Sequence, residues 1–200
     1  MRKIIIATAL ATLLVASTSL AEEFILESGD EGNLVTFFSK APMESFEGKT
    51  DQISGSINVE LANLSASAQI EVRVDLSSLD TGMQLRNKHM CENHLETDKF
   101  PEAIFRAERL LKAPIQPLIA GGNAEFLLAG TMSLHGVTRE LQVPVSVSCR
   151  ELDGRLKLDV VTEFEITLSD YEIKRPKFLV LKLNETQRVE IRLSAWEVGT

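Results

Sequence analysis

The chain has 200 residues, 44% of them hydrophobic, and a formal charge of −8. With a pI near 5.0 it lacks the Lys and Arg excess that phosphate contacts need, which excludes nucleic acid as a partner and electrostatic docking on an anionic membrane. This length suits one domain built around one substantial core.

The chain opens "MRKIIIATALATLLVASTSLAEE". Arg2 and Lys3 precede an apolar run from Ile4 to Val15, and Ser19 and Ala21 put small residues before a cut after Ala21. That is the layout of a cleaved secretory signal over residues 1–21. It is too short for a transmembrane helix, which needs about 20 apolar residues. No Cys follows it to carry a lipid, and nothing later is long and apolar enough to span a membrane. The sequence therefore predicts a periplasmic or secreted single domain over 22–200, with no stable membrane insertion.

The remainder alternates with period two, the mark of half-buried strands. Ile53, Gly55, Ile57, Val59 and Leu61 alternate over 53–61, and Ala68, Ile70, Val72, Val74 and Leu76 over 68–76. "MQLRNKHMCENHL" (83–95) breaks the pattern with good helix formers and no Gly or Pro, so it predicts a short helix with Met83, Asn87, Met90 and His94 on one face. "EAIFRAERLLKA" (102–113) is helical by propensity but follows Pro101, which favours an extended start. From its residues alone it stays ambiguous. Alternation resumes at Ala124, Phe126, Leu128, Gly130, Met132 and Leu134. A hairpin turn is expected within 135–140, with Gly136 at positive φ. Leu141, Val143, Val145, Val147 and Cys149 follow, with Pro144 marking an edge or bulge. Leu156, Leu158 and Val160 begin another run, and Val189, Ile191, Leu193 and Ala195 form the last. Such strands make an all-β antiparallel protein, as a sandwich or a barrel.

His89, Cys91 and His94 lie within six positions. A metal or catalytic cluster there would draw on His135, Cys149 or a carboxylate. No Cys-x-x-Cys, His-x-x-x-His or nucleophile signature accompanies it, so no metal, no cofactor and no enzymatic activity is expected. Cys91 and Cys149 either pair as a disulfide, as export permits, or are two buried apolar thiols.

"TGMQLRNKHMCENHLETDKFPEAIF" (81–105) resembles the signature region of the YceI-like family of exported, lipocalin-like, polyisoprenoid-binding proteins. The matching residues are Thr81-Gly82, Arg86-Asn87, His89-Met90, Lys99-Phe100-Pro101 and Phe105. The segments 34–60, with Phe46 and Gly48, 128–147, 164–173 and 189–198 resemble the family's other hairpins and strands. Cys91, the short insert after His89 and the spelling of 171–186 depart from its pattern.

The resemblance implies an antiparallel lipocalin-like barrel of about eight strands, with 102–113 extended and 83–95 as a short helical lid. It implies an isoprenoid-tailed ligand, a polyisoprenoid or a quinone, buried for sequestration, transport or storage. Phe37, Phe46, Val72, Leu85, Met90, Leu95, Phe105, Phe126 and Met132 are the expected apolar lining. Arg86, Asn87 and His89 are the expected polar pins of the cap, with Arg86 able to pair with an acid such as Glu92 or Asp98. The alternatives are a ligand-free structural or stress-response barrel and a metal protein using His89, Cys91 and His94. A homodimer stays open.

Overall fold

The computed structural model describes residues 21–40, 45–66, 68–175, 177–178 and 181–199. The predicted signal segment, apart from Ala21, lies outside these residues. The strands are β1 (Glu22–Leu26), β2 (Leu34–Lys40), β3 (Ser45–Thr50), β4 (Ile53–Val59), β5 (Gln69–Asp75), β6 (Glu102–Leu111), β7 (Asn123–Leu134), β8 (Val137–Leu152), β9 (Arg155–Thr167), β10 (Lys177–Phe178), β11 (Leu181–Lys182) and β12 (Thr186–Glu197). One short helix, α1 (Gln84–His89), runs into a π-helical turn at Met90–Leu95.

Eight strands close into an antiparallel barrel in the order β1-β4-β5-β6-β7-β8-β9-β12, and β12 returns to β1. The alternative of a sandwich is thereby settled. Closure depends on β12 changing partner along its length. Its residues Arg188–Arg192 pair with β2, and Trp196 and Glu197 pair with Ile25 and Phe24 of β1. Between these two stretches Asn33 fills the break. Its Oδ1 accepts from the Ser194 backbone N–H at 2.8 Å, and its Nδ2 donates to the Glu27 carbonyl at 2.9 Å. Asn33 is 2% exposed, and these bonds satisfy backbone groups that would otherwise be buried without partners. The β2–β3 hairpin thus continues the β1–β4 pair past one rim of the barrel.

Period two holds because each strand buries one face. Phe24 and Leu26 of β1, Ile53, Ile57 and Val59 of β4, Val143, Val145 and Val147 of β8, and Leu158 and Val160 of β9 all reach one common core. The hairpin between β7 and β8 is tighter than 135–140. Only His135 and Gly136 turn, both at positive φ (51° and 76°), and Leu134 already pairs with Val137. Pro144 is the last residue of β8 before pairing with β9 begins at Val145. Its missing N–H therefore sits beside a locally unpaired edge.

The ambiguous segment 102–113 is strand β6 through Leu111. Its helix formers are overruled because β5 and β7 offer hydrogen bonds on both sides. A bulge between Ala107 and Arg109 bends it. Gly130 makes room for this bend, since a Cβ there would lie 2.0 Å from the Arg106 carbonyl oxygen.

Candidate functional site

The inward faces of seven strands leave an apolar cavity of about 100 Å³ in the barrel interior. For scale, a cavity of ~150 Å³ lined by aliphatic and aromatic groups stays dry and admits benzene. Successive inward residues of single strands wall it, such as Ile70, Val72 and Val74 on β5, and the β8 trio Val143, Val145 and Val147. At one end Leu61 and Leu64, after β4, meet Leu118 of the β6–β7 connection. The Leu118 backbone N–H donates to the Leu61 carbonyl at 2.9 Å, which ties these two loops together. The opposite end of the barrel carries α1 and the π-helical turn, from which Met90 and Leu95 pack onto the core. Among the described residues Thr162 is the one lining residue with a polar side chain, and none is charged.

Of the nine predicted lining residues, Val72, Phe105, Phe126 and Met132 border the cavity. Five do not. Leu85 is 64% exposed, as its place on the outer face of α1 requires. Met90 and Leu95 contribute to the cover but not to the cavity wall. Phe37 and Phe46 belong to the β2–β3 hairpin at the rim, where their rings meet edge to face at 6.1 Å. Gly48 pairs with Phe37, and the Phe37 ring occupies the space a Cβ would take, 2.2 Å from its Cε1. Met83, predicted to share a helical face with Asn87, Met90 and His94, is instead the extended residue that precedes α1.

The cap is built from two of its three predicted residues. The Asn87 side-chain carbonyl accepts from both the backbone N–H and the hydroxyl of Thr81, at 2.9 and 2.6 Å. Its amide donates to Asp80 Oδ1 at 2.7 Å. The Asp80 carboxyl is held below the usual carboxylate range by that bond and by the Gly82 N–H. Arg86 does not choose Glu92 or Asp98. Its Nε donates to the Thr81 hydroxyl and its Nη2 to the Thr81 carbonyl, both at 2.9 Å, while its guanidinium lies 4.1 Å from the centre of the Phe46 ring. Helix and rim hairpin are thereby joined by a cation–π contact. His89 is exposed and takes no part in these bonds. Two residues beyond Asn87, it points about 200° around the helix.

The remaining His and Cys side chains do not converge. His94 Nδ1 donates to the Lys174 carbonyl at 2.8 Å, and burial pushes the His94 imidazole down, towards its neutral form. His135 is held by the Tyr171 carbonyl at 3.0 Å and by Glu96 at 3.1 Å, with its ring against Phe100. Cys91 and Cys149 are free thiols, half-buried and buried, so the disulfide alternative is not realised. Burial pushes both thiols up, which disfavours the thiolate that nucleophilic attack or metal ligation requires. Among the described residues no three His, Cys, Asp or Glu side chains are placed to hold a metal, and no helix is long and apolar enough to cross a membrane.

Sequence reasoning missed Thr162, Leu118 and the β8 valines as lining. For Thr162 the signal was present. The run Leu156, Leu158, Val160 places residue 162 on the same face.

Comparison with known proteins agrees with the architecture. The YceI-like domain model matches residues 30–195. A UPF0312 protein of Shewanella denitrificans is 25% identical over 179 residues, covering 87% of this chain and 89% of its own. One from Vibrio campbellii is 24% identical over 178 residues, covering 86% and 89%. Among solved structures, a polyisoprenoid-binding domain from Saccharophagus degradans implicated in plant cell wall breakdown superposes with a TM-score of 0.68 at 19% identity, covering 90% of this chain and 99% of that one. BcnA of Burkholderia cenocepacia gives a TM-score of 0.62 at 18% identity, covering 81% and 95%. At these identities the structures establish a shared fold.

Proposed function

The chain belongs to the YceI-like domain family, and from that premise we propose that it is an exported lipid-binding barrel that takes an isoprenoid tail into its interior. The observation that carries this reading is the cavity, walled among the described residues by aliphatic and aromatic side chains and Thr162, with no charge among them. The Saccharophagus degradans neighbour, a polyisoprenoid-binding domain of the same fold, supports the ligand class. Export is supported by the signal-like segment 1–21.

Physical chemistry sets how such a ligand binds. An isoprene unit has five carbons, and burial is worth about 0.8 kcal/mol per methylene. Each unit taken from water therefore contributes roughly 4 kcal/mol before ordering costs. A cavity of about 100 Å³ holds a group on the scale of one such unit. A longer tail enters as flexible lining side chains rotate, and Met132 is suited to this because an unbranched thioether adapts its shape at low cost. Apolar burial supplies affinity without a sharp motif, so a polyisoprenoid and a quinone tail are both accommodated. The function is carriage or sequestration, with the chain's own residues binding rather than transforming the lipid.

The test is native mass spectrometry of the protein from its own host, before and after solvent extraction, with the extract identified. A stoichiometric long-chain isoprenoid is the expected result. A protein that carries no lipid, and takes none up from a polyprenol or quinone supplied in excess, would sink the reading in favour of a ligand-free barrel. An N-terminus beginning at Glu22, read on the same sample, checks export.

A further inference from the structure

Two connections meet at the end of the barrel away from α1, and neither carries a charge. "LANLSASAQI" (61–70) spans the β4–β5 connection and "APIQPLIAGGNA" (113–124) the β6–β7 connection, in a chain of which 25% is charged. Glu60 and Glu71 bound the first, and Lys112 and Glu125 the second. Leu61, Leu64 and Leu118 of these loops border the cavity. On either side of Leu118 the second loop turns apolar side chains outward instead, with Ile115 96% exposed and Ile119 68%. This exposure is built in. The Leu118 N–H is bonded to the Leu61 carbonyl, the Gly121 N–H donates to the Cys149 carbonyl at 2.8 Å, and the Cys149 N–H donates to the Gly122 carbonyl at 3.0 Å. Ile119 is held between these ties, and Pro114 and Pro117 stiffen the backbone around Ile115. Single exposed apolar residues are ordinary. Two of them on a tethered, charge-free loop that also closes the cavity form a surface.

We propose that Ile115 and Ile119 dock the barrel reversibly on a zwitterionic lipid bilayer, and that the isoprenoid enters and leaves past Leu118, between the two loops. The entry route rests on the lipid-binding reading above. A tail that is insoluble in water has to be exchanged at a membrane, and the path is shortest where the cavity wall itself faces the lipid. Apolar side chains settle at the boundary between headgroups and acyl chains, and uncharged loops follow them without the cost of desolvating an ion. The chain as a whole carries −8 and is repelled by an anionic surface, so contact is confined to the loops without charge. Asp153 and Arg155 beside the β8–β9 turn at this same end mark the limit of the patch. A protein partner fits less well. Two isoleucines offer far less than the ~1,000 Å² that a specific protein interface buries, whereas a membrane needs only the weak, reversible hold that a single acyl chain provides.

The experiment floats the protein with vesicles of phosphatidylcholine and phosphatidylethanolamine that carry a short prenylquinone. Flotation reads docking, and quinone recovered with the protein reads uptake. A second arm delivers the same quinone from ethanol, without vesicles. The double variant Ile115→Ser/Ile119→Ser should bind vesicles at least about tenfold more weakly than wild type, because the burial of two isoleucines is lost, and should extract quinone from them correspondingly slowly. It should melt like wild type and bind ethanol-delivered quinone equally well, since both side chains are exposed and neither borders the cavity. Ile115→Leu/Ile119→Leu should dock as wild type does, and added salt should not release the protein, because no charge mediates the contact. A serine variant that floats and extracts like wild type would overturn the docking surface. So would binding confined to anionic vesicles and lost in salt, or an isoleucine-dependent dimer in sedimentation without flotation, which would give the loop to a second copy. If wild type takes quinone from ethanol yet never floats, the lipid-binding reading stands and the docking surface falls. If it takes quinone from neither source, that reading and the entry route fall together, while flotation lost in the serine variant would still uphold the surface.

Discussion

Replacing Ala103 with leucine tests whether the cavity is usable space. Ala103 is 7% exposed, faces the cavity from β6 and pairs with Val74. Void volume costs about 24 cal/mol per Å³, so filling all of a cavity near 100 Å³ would recover at most about 2.4 kcal/mol. The three added carbons of leucine give the same ceiling of about 2.4 kcal/mol at 0.8 each. Rotamer strain lowers the yield, and about 1–2 kcal/mol is expected. That raises the melting temperature of a chain of this size by about 2–8 °C. Isoprenoid affinity should fall at least about tenfold in the same protein, because the added atoms and the ligand compete for one volume. Circular dichroism melting of the ligand-free protein and a fluorescence titration read the two effects. Leu128→Ala is the converse, with a loss of about 2–5 kcal/mol in stability and retained binding. An Ala103→Leu protein that loses stability yet binds normally would refute the reasoning, because it would mean that leucine meets packed atoms and the ligand sits elsewhere.

Asn87→Ala should cost about 2–3 kcal/mol, since two donors on Thr81 lose their acceptor. The Asp80 carboxyl should then move back up towards its ordinary value, measured by NMR titration. Glu96 is held below the usual carboxylate range by Lys99 first and His135 second. A lowered native value means its stabilisation is complete above the unfolded carboxylate pKa of about 4.3 and is lost as pH falls through the native one. Glu96→Gln should therefore lower stability at pH 7 and flatten the acid limb, and an unchanged acid limb would contradict the pairing. Thiol titration should find Cys149 protected in the native protein and two reactive groups in denaturant without reductant, since Cys149 is 0% exposed and neither cysteine is paired. Finding none in denaturant would mean a disulfide.

Much of this molecule was legible as alternation. The runs at 53–61, 68–76, 124–134 and 141–149 are strands because a side-chain period of two sorts apolar from polar faces whatever the neighbours are. His135-Gly136 turns and 83–95 coils for equally local reasons. Residues 102–113 were not decidable locally, because their helix propensity yields only when β5 and β7 supply partners on both sides. The placement of Phe37 and Phe46 was hidden for a related reason. Parity says that a side chain faces inward, but β2 and β3 run past the rim, where Phe46 lies under Arg86 and Phe37 lies against Phe46 rather than in the cavity wall.

Closure itself belongs to the tertiary structure. Trp196 meets Ile25 across nearly the whole chain, and no local pattern encodes the point at Asn33 and Ser194 where β12 changes partner. The cavity is a small remainder between the barrel's inner volume and the side chains that fill it, so it depends on every register at once. Thr162 shows both sides of this division. Its inward parity was written in the sequence, while its lack of a hydrogen-bond partner among the described residues exists only once seven strands have surrounded it with hydrocarbon.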